Sequence, residues 1–294
     1  MAAVETLLSN ASLIELKRLE LRSKRSVTTD LVGRYRSSFR GSGLMFSDLR
    51  QYEPGDDIKH IHWKVTARTG KAYVKTYEEE RQLNVMLAVD ISNSTNFGSP
   101  KRKSEKAFEF AALLTTLTQN THDNIGLCLF GDRIYDFVKP SSKRTQFQRI
   151  INSLIATQNH SRGTNLKETI IYLRENLRRK SVVFLISDFY SSDFKEDLKL
   201  LAAKHDVIGV LLSDSLEHTL PSLGLVEFED AESGERIVLD SGSSRVREKL
   251  KVLGDARAKN LRELFNESRS DLIEIKDSIL KPLTQLMAQR SERH

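Results

Sequence analysis

Residues 83–95, "LNVMLAVDISNST", decide how the rest of the chain is read. Leu83 to Val89 is an almost unbroken apolar run of strand length, without the alternation of a half-solvated strand. Such a run belongs to a strand covered on both faces. It ends on Asp90, and hydroxyls follow at Ser92 and Ser94. These groups are too polar for a core and too evenly spaced for a casual loop. By itself "DISNS" is an ordinary strand-to-helix connection, so its meaning depends on what else the fold gathers beside it.

Downstream, short apolar strands alternate with amphipathic helices. "SEKAFEFAALLTTLTQ" carries Ala107, Phe110, Ala111, Leu114 and Leu117 on one helical stripe. "IGLCLF" follows, then "RIYDFV" as an edge hairpin strand and "TQFQRIINSLIA" as a helix. "LKETIIYLRENLRR" and "FKEDLKLLAAKH" are helices around the strand "SVVFLIS", and "DVIGVLLS" is the next strand. This order predicts an α/β fold with a mainly parallel central sheet flanked by helices. Towards the end, "VEFED" and "ERIVLD" read as a hairpin, "RVREKLKVLGDARAKNLRELF" as a long charged helix and "LIEI" as a last strand. Upstream, Ser12 caps an expected helix with Leu13, Leu16 and Leu19 on one face. The expected division is an N-terminal helical/β appendage, residues 1–80, packed on a main domain, residues 81–294.

Composition narrows the function classes. With 39% hydrophobic residues in 294, the chain supports a real core. The net charge of +6 is small beside 46 basic and 40 acidic side chains. Residues 1–40 hold eight basic and four acidic side chains, but only Tyr35 and Phe39 are interleaved as stacking aromatics. Nucleic-acid binding is therefore not expected. The single cysteine, Cys128, allows no internal disulfide and reads as a small buried hydrophobe. The start lacks an apolar signal core, and the longest apolar runs are far short of a bilayer span, so a cytoplasmic protein without a transmembrane segment is expected.

In a parallel sheet, ligands meet the carboxyl ends of the strands. Asp90 holds that place on one strand, and Ser187-Asp188 hold it on "SVVFLISD". Thr164, in "SRGTNL", precedes a helix and can reach the same rim. Asp188 alone would serve as a cap for a helix beginning near Ser192. Together, two carboxylates and three hydroxyls make an all-oxygen set suited to Mg²⁺ or Mn²⁺. Zinc would ask for imidazole or thiolate. Six-coordinate Mg²⁺ would keep a position for water or a visiting carboxylate.

The pattern Asp90-x-Ser92-x-Ser94, Thr164 and Asp188 resembles the metal-ion-dependent adhesion site of von Willebrand factor A domains. That resemblance implies a doubly wound fold, direct coordination by Ser92, Ser94 and Thr164, and action through water by Asp90 and Asp188. Upstream, "GRYRSSFRGSGLMFSDLRQYEPGDDIKHIHWKVTAR" is similar to a large bacterial family, number 58 in the domain-of-unknown-function series. Gly33, Gly41, Gly43, Phe46, Arg50, Tyr52, Pro54, Gly55, Asp56, Asp57, Ile61, Trp63, Ala67 and Arg68 carry the likeness. Met45 and His62 stand where acidic residues are typical of that family. This second resemblance implies partnership with a MoxR-type AAA+ ATPase in chaperone-like maturation of complexes.

The leading expectation is thus a non-enzymatic, metal-dependent protein-interaction module whose partner, a MoxR-type ATPase or its client, supplies an acidic side chain. The chain has no phosphate-binding P-loop of its own. A Mg²⁺-dependent hydrolase or phosphatase on the same rim is the alternative. Against it, no histidine, lysine or cysteine stands within the motif; Lys101 and Lys167 are the cations expected nearby. Asp56, Asp57, His60 and His62 admit two readings. One is a structural network with Arg50, Lys59 and Arg68, and the other is a second metal site.

Overall fold

The computed structural model describes residues 25–40, 46–56, 61–77, 82–96, 102–156, 163–191, 193–214, 221–229 and 236–293. The helix expected after Ser12 lies outside them, as do Asp57, Lys59, His60 and Lys101.

Six strands form the main sheet: β3 (Asn84–Asp90), β4 (Asn124–Phe130), β5 (Ile134–Ser141), β6 (Val182–Ser187), β7 (Asp206–Leu212) and β10 (Asp271–Ile275). Their spatial order is β10-β7-β6-β3-β4-β5. Every pairing is parallel except β4 with β5 at the edge. The expected mainly parallel α/β sheet, with "RIYDFV" as its edge hairpin strand, is the one observed. Because side chains alternate along a strand, β3 feeds two cores. Val85, Leu87 and Val89 enter one with helix α3 (Lys103–Thr121), and Met86 and Ala88 enter the other. α4 (Gln146–Ala156) closes the first core. α5 (Leu166–Asn176), α6 (Lys195–Ala202) and the long α7 (Ser244–Glu267) close the second. Cys128 is fully buried in that second core, and burial pushes its thiol pKa up.

Gly126 explains how the edge strand fits. The β4–β5 register shifts between Ile125 and Leu127, bringing the β5 backbone unusually close. A Cβ at Gly126 would lie 2.6 Å from the Val138 carbonyl oxygen and 2.9 Å from the Pro140 nitrogen. Backbone atoms cannot swing aside as side chains can. Gly126→Ala should therefore lower stability by about 1–3 kcal/mol in urea denaturation. An unchanged midpoint would mean that the bulge yields freely.

Of the expected N-terminal appendage, the longest described helix packs directly on the main sheet's helices. Helix α1 (Thr29–Arg40) places Leu31 and Tyr35 in the same core as α3 and the last helix, α8 (Leu280–Ser291). The Ser38 hydroxyl donates to the Met287 carbonyl at 2.7 Å. Arg290 of α8 stacks over Phe39 and also pairs with Asp206 and Asp271, anchoring α8 to β7 and β10. A small antiparallel pair, β1 (Phe46–Gln51) with β2 (Tyr73–Tyr77), brackets the short helix α2 (Trp63–Thr69). Here Asp56 accepts from the Glu53 amide at 3.0 Å, closing the Pro-Gly turn. His62 Nδ1 accepts from the Val65 amide at 3.4 Å and caps α2. The hairpin expected near residue 230 is β8 (Leu225–Glu229) with β9 (Arg236–Asp240).

Candidate metal centre

From β3 the chain moves outward to β4 and β5 on one side, and from β6 to β7 and β10 on the other. The β3–β6 boundary is thus the topological switch point, where two diverging connections leave a crevice at the strand ends. Asp90 ends β3, and Asp188 directly follows β6. Both are fully buried.

Hydrogen bonds fix the Asp90 carboxylate from three elements. Oδ1 accepts from the Ser92 amide at 2.9 Å, a local turn that also aims the Ser92 side chain. Oδ2 accepts from the Ser187 hydroxyl at 2.6 Å, and from the Thr164 hydroxyl at 3.4 Å. The Ser92 and Ser94 hydroxyl oxygens are 3.0 Å apart. Thr164 is brought in because the Asn165 amide donates to the Gly131 carbonyl at 2.6 Å, just beyond β4. Asn165 then caps α5 through the Glu168 amide at 3.1 Å. Asp90, Ser92, Ser94 and Thr164 therefore form one hydrogen-bonded group. Asp188 stands beside it: its backbone carbonyl accepts from Arg257 of α7, and its Oδ1 from the Tyr190 amide at 3.3 Å.

The arrangement is layered. Asp90, Ser92 and Asp188 lie beneath, while Ser94 and Thr164 are half-buried at the lip. Burial first, and then the charge of Asp188, push the Asp90 carboxyl up to about 7, against the lowering effect of the Ser187 and Ser92 hydrogen bonds. A carboxylate so placed gains from a nearby cation. The donor set fits a hard one: neighbouring oxygens around an octahedral ion with bonds of about 2.1 Å lie about 3.0 Å apart, the separation of the two serine hydroxyls. Among the described residues no group of three or more histidine, cysteine, aspartate or glutamate side chains is placed for a metal.

One charged group at the centre corrects the sequence reading. Among the described residues the lysine that reaches it is Lys103, at the start of α3, and not Lys167; Lys101 lies outside the described residues. Lys103 Nζ lies 3.2 Å from Asp188 Oδ2, with both side chains buried. Lys167 instead lies on the surface, 3.9 Å from Asp193. The signal was available: extending the Ala107–Phe110–Leu114 stripe back by one turn lands on Lys103, a cation on an apolar face. Arg257 and Tyr190 were also missed. The Arg257 guanidinium stacks 3.4 Å from the Tyr190 ring centroid while it donates to the Asp188 carbonyl.

Comparison with known proteins agrees with the upstream motif. The family described as "Protein of unknown function DUF58" matches residues 48–260. An uncharacterized protein of Mycobacterium tuberculosis is 32% identical over 225 residues, covering 74% of this chain and 70% of the relative. Among solved structures, the chain is similar to the conserved hypothetical protein BatB from Bacteroides thetaiotaomicron. That match has 18% identity and a TM-score of 0.47, over 71% of this chain and 99% of the other. An aerotolerance-related membrane protein from Bacteroides fragilis is also 18% identical, with a TM-score of 0.48, over 72% of this chain and all of the other.

Proposed function

The chain belongs to the family described as protein of unknown function DUF58, and from that premise we propose a non-enzymatic protein-interaction module that grips an acidic partner side chain through a divalent cation. One observation carries the proposal: Asp90, Ser92, Ser94 and Thr164, spread over 75 residues of sequence, form one hydrogen-bonded oxygen cluster at the switch point. Ser92, Ser94 and Thr164, with Asp90 and Asp188, are the residues that would hold Mg²⁺ or Mn²⁺. When bound, the ion supplies an outward-facing positive charge for a visiting carboxylate.

The chain's own contribution is preorganisation. The Ser92 amide and the Ser187 hydroxyl hold Asp90 in one orientation. Ser94 and Thr164 sit at the lip, where a partner group can approach. Against a hydrolase, the lysine at the centre is buried against Asp188 rather than presented as a base. Resemblance to the family supports a MoxR-type AAA+ ATPase, or its client, as the partner, and the proposed setting is cytoplasmic. Among the described residues no helix is long and apolar enough to cross a membrane.

Immobilised protein should retain a purified MoxR-type ATPase or its client in Mg²⁺ and release it in EDTA. The Ser92→Ala/Ser94→Ala variant should retain neither. Retention indifferent to both EDTA and the double substitution would rule out gripping through the cation.

A further inference from the structure

Helix α3 opens with a cation where its own backbone favours an anion. Lys103 is its first residue, and the exposed amides of a first turn carry partial positive charge. Even so, Lys103 is only 1% exposed, its ammonium drawn inward to Asp188. Lys106, three residues on and therefore on the same face, makes a parallel arrangement. Its Nζ lies 3.6 Å from Asp214 Oδ2 and donates to the Ser213 carbonyl at 3.1 Å. Each aspartate follows a serine at the end of a parallel strand, β6 for Asp188 and β7 for Asp214, and each is fully buried. The two pairs match in chemistry and burial. They differ in position: Asp188 shares the crevice with Asp90, while β6 separates Asp214's strand from β3.

We infer that Lys103 is a resident counter-ion of the crevice, a positioning residue that holds Asp188 in the cation-free protein and sets the charge of the loaded site. The inference rests on reading the centre as a metal site. With both aspartates ionised, Lys103 reduces the charge of the group from −2 to −1. A divalent cation then leaves the centre at +1 rather than neutral. The ammonium thus weakens cation binding while keeping a surplus positive charge for an acidic visitor.

The test is calorimetric titration of MgCl₂ into wild type, Lys103→Met and Lys106→Met, with thermal unfolding in MgCl₂ and in EDTA. Lys103→Met should bind Mg²⁺ about tenfold more tightly or better, and its unfolding temperature should rise more on adding MgCl₂. Lys106→Met, which breaks the matching pair one strand away, should bind as wild type does. Binding by Lys103→Met where wild type shows none also supports the inference. If wild type binds and Lys103→Met binds equally or less tightly, the inference fails while the metal reading stands. If neither binds, the metal reading fails and takes the inference with it. A Lys103→Met protein folded only in MgCl₂ supports the substitution of ion for ammonium. One unfolded in both conditions overturns it, unless Lys103→Gln folds and shows the tighter binding.

Discussion

Asp90→Ala should abolish Mg²⁺ binding in a calorimetric titration, weakening it by about a hundredfold or more. The substitution removes a charge and also the acceptor for the Ser92 amide and the Ser187 and Thr164 hydroxyls. The hydroxyl ligands lose their alignment together with the carboxylate. Protons compete for the same oxygens, which gives the wild type a pH signature. With the Asp90 carboxyl pushed up to about 7, binding should be full above that value. Below it, affinity should fall by about tenfold per pH unit.

Stability of the cation-free protein should run the opposite way. Because the folded-state pKa of Asp90 lies above the unfolded value, its contribution is fully present at low pH and is lost as pH rises through about 7. Asp90→Asn, which cannot ionise, should remove this dependence from both curves. Mg²⁺ affinity equal at about pH 5.5 and about pH 8, or undiminished in Asp90→Ala, would show that the ion is held elsewhere.

What the sequence revealed and what it hid follow from the range of the interactions. β3, β4, β6 and β7 are buried on both faces, so each is written as an apolar run, and runs of that kind imply parallel pairing. The oxygen cluster was legible because its members fall at strand ends and before a helix, places the alternation of elements brings together. Lys103 escaped notice because a lysine in a helix is ordinarily solvated; only its phase on the stripe marks it. Helix α1 was hidden for another reason. "TDLVGRYRSSFR" mixes glycine, serine and arginine with Leu31, Tyr35 and Phe39, so its apolar seam is thin. The links of Arg290 to Asp206 and Asp271 join β7, β10 and α8, and no local pattern encodes them. His62 carries a typical ligand side chain, yet its Nδ1 serves as a helix cap, a role visible only once α2 has a beginning.

Phe184→Ala should be the most damaging single change to the fold, costing about 3–5 kcal/mol. Phe184 lies in β6 between β3 and β7 and is fully buried. Its ring meets Phe110 of α3 edge-on at 5.8 Å and Phe39 of α1 at 6.1 Å, and Phe39 in turn lies 5.1 Å from Tyr35. This aromatic chain ties the N-terminal helix to the sheet, so the cavity left by alanine opens where three elements meet and none can close it alone. Against a total stability of about 5–15 kcal/mol, that loss should lower the unfolding temperature by about 6–20 °C. Phe184→Leu, which keeps most of the volume, should cost less than about 1.5 kcal/mol. Because Phe39 and Phe184 touch, the losses from Phe39→Ala and Phe184→Ala should not add, and a double-mutant cycle should give a coupling of about 0.5–1.5 kcal/mol. Strict additivity in urea denaturation would mean that the Phe39–Phe184 contact contributes no coupling between α1 and the sheet.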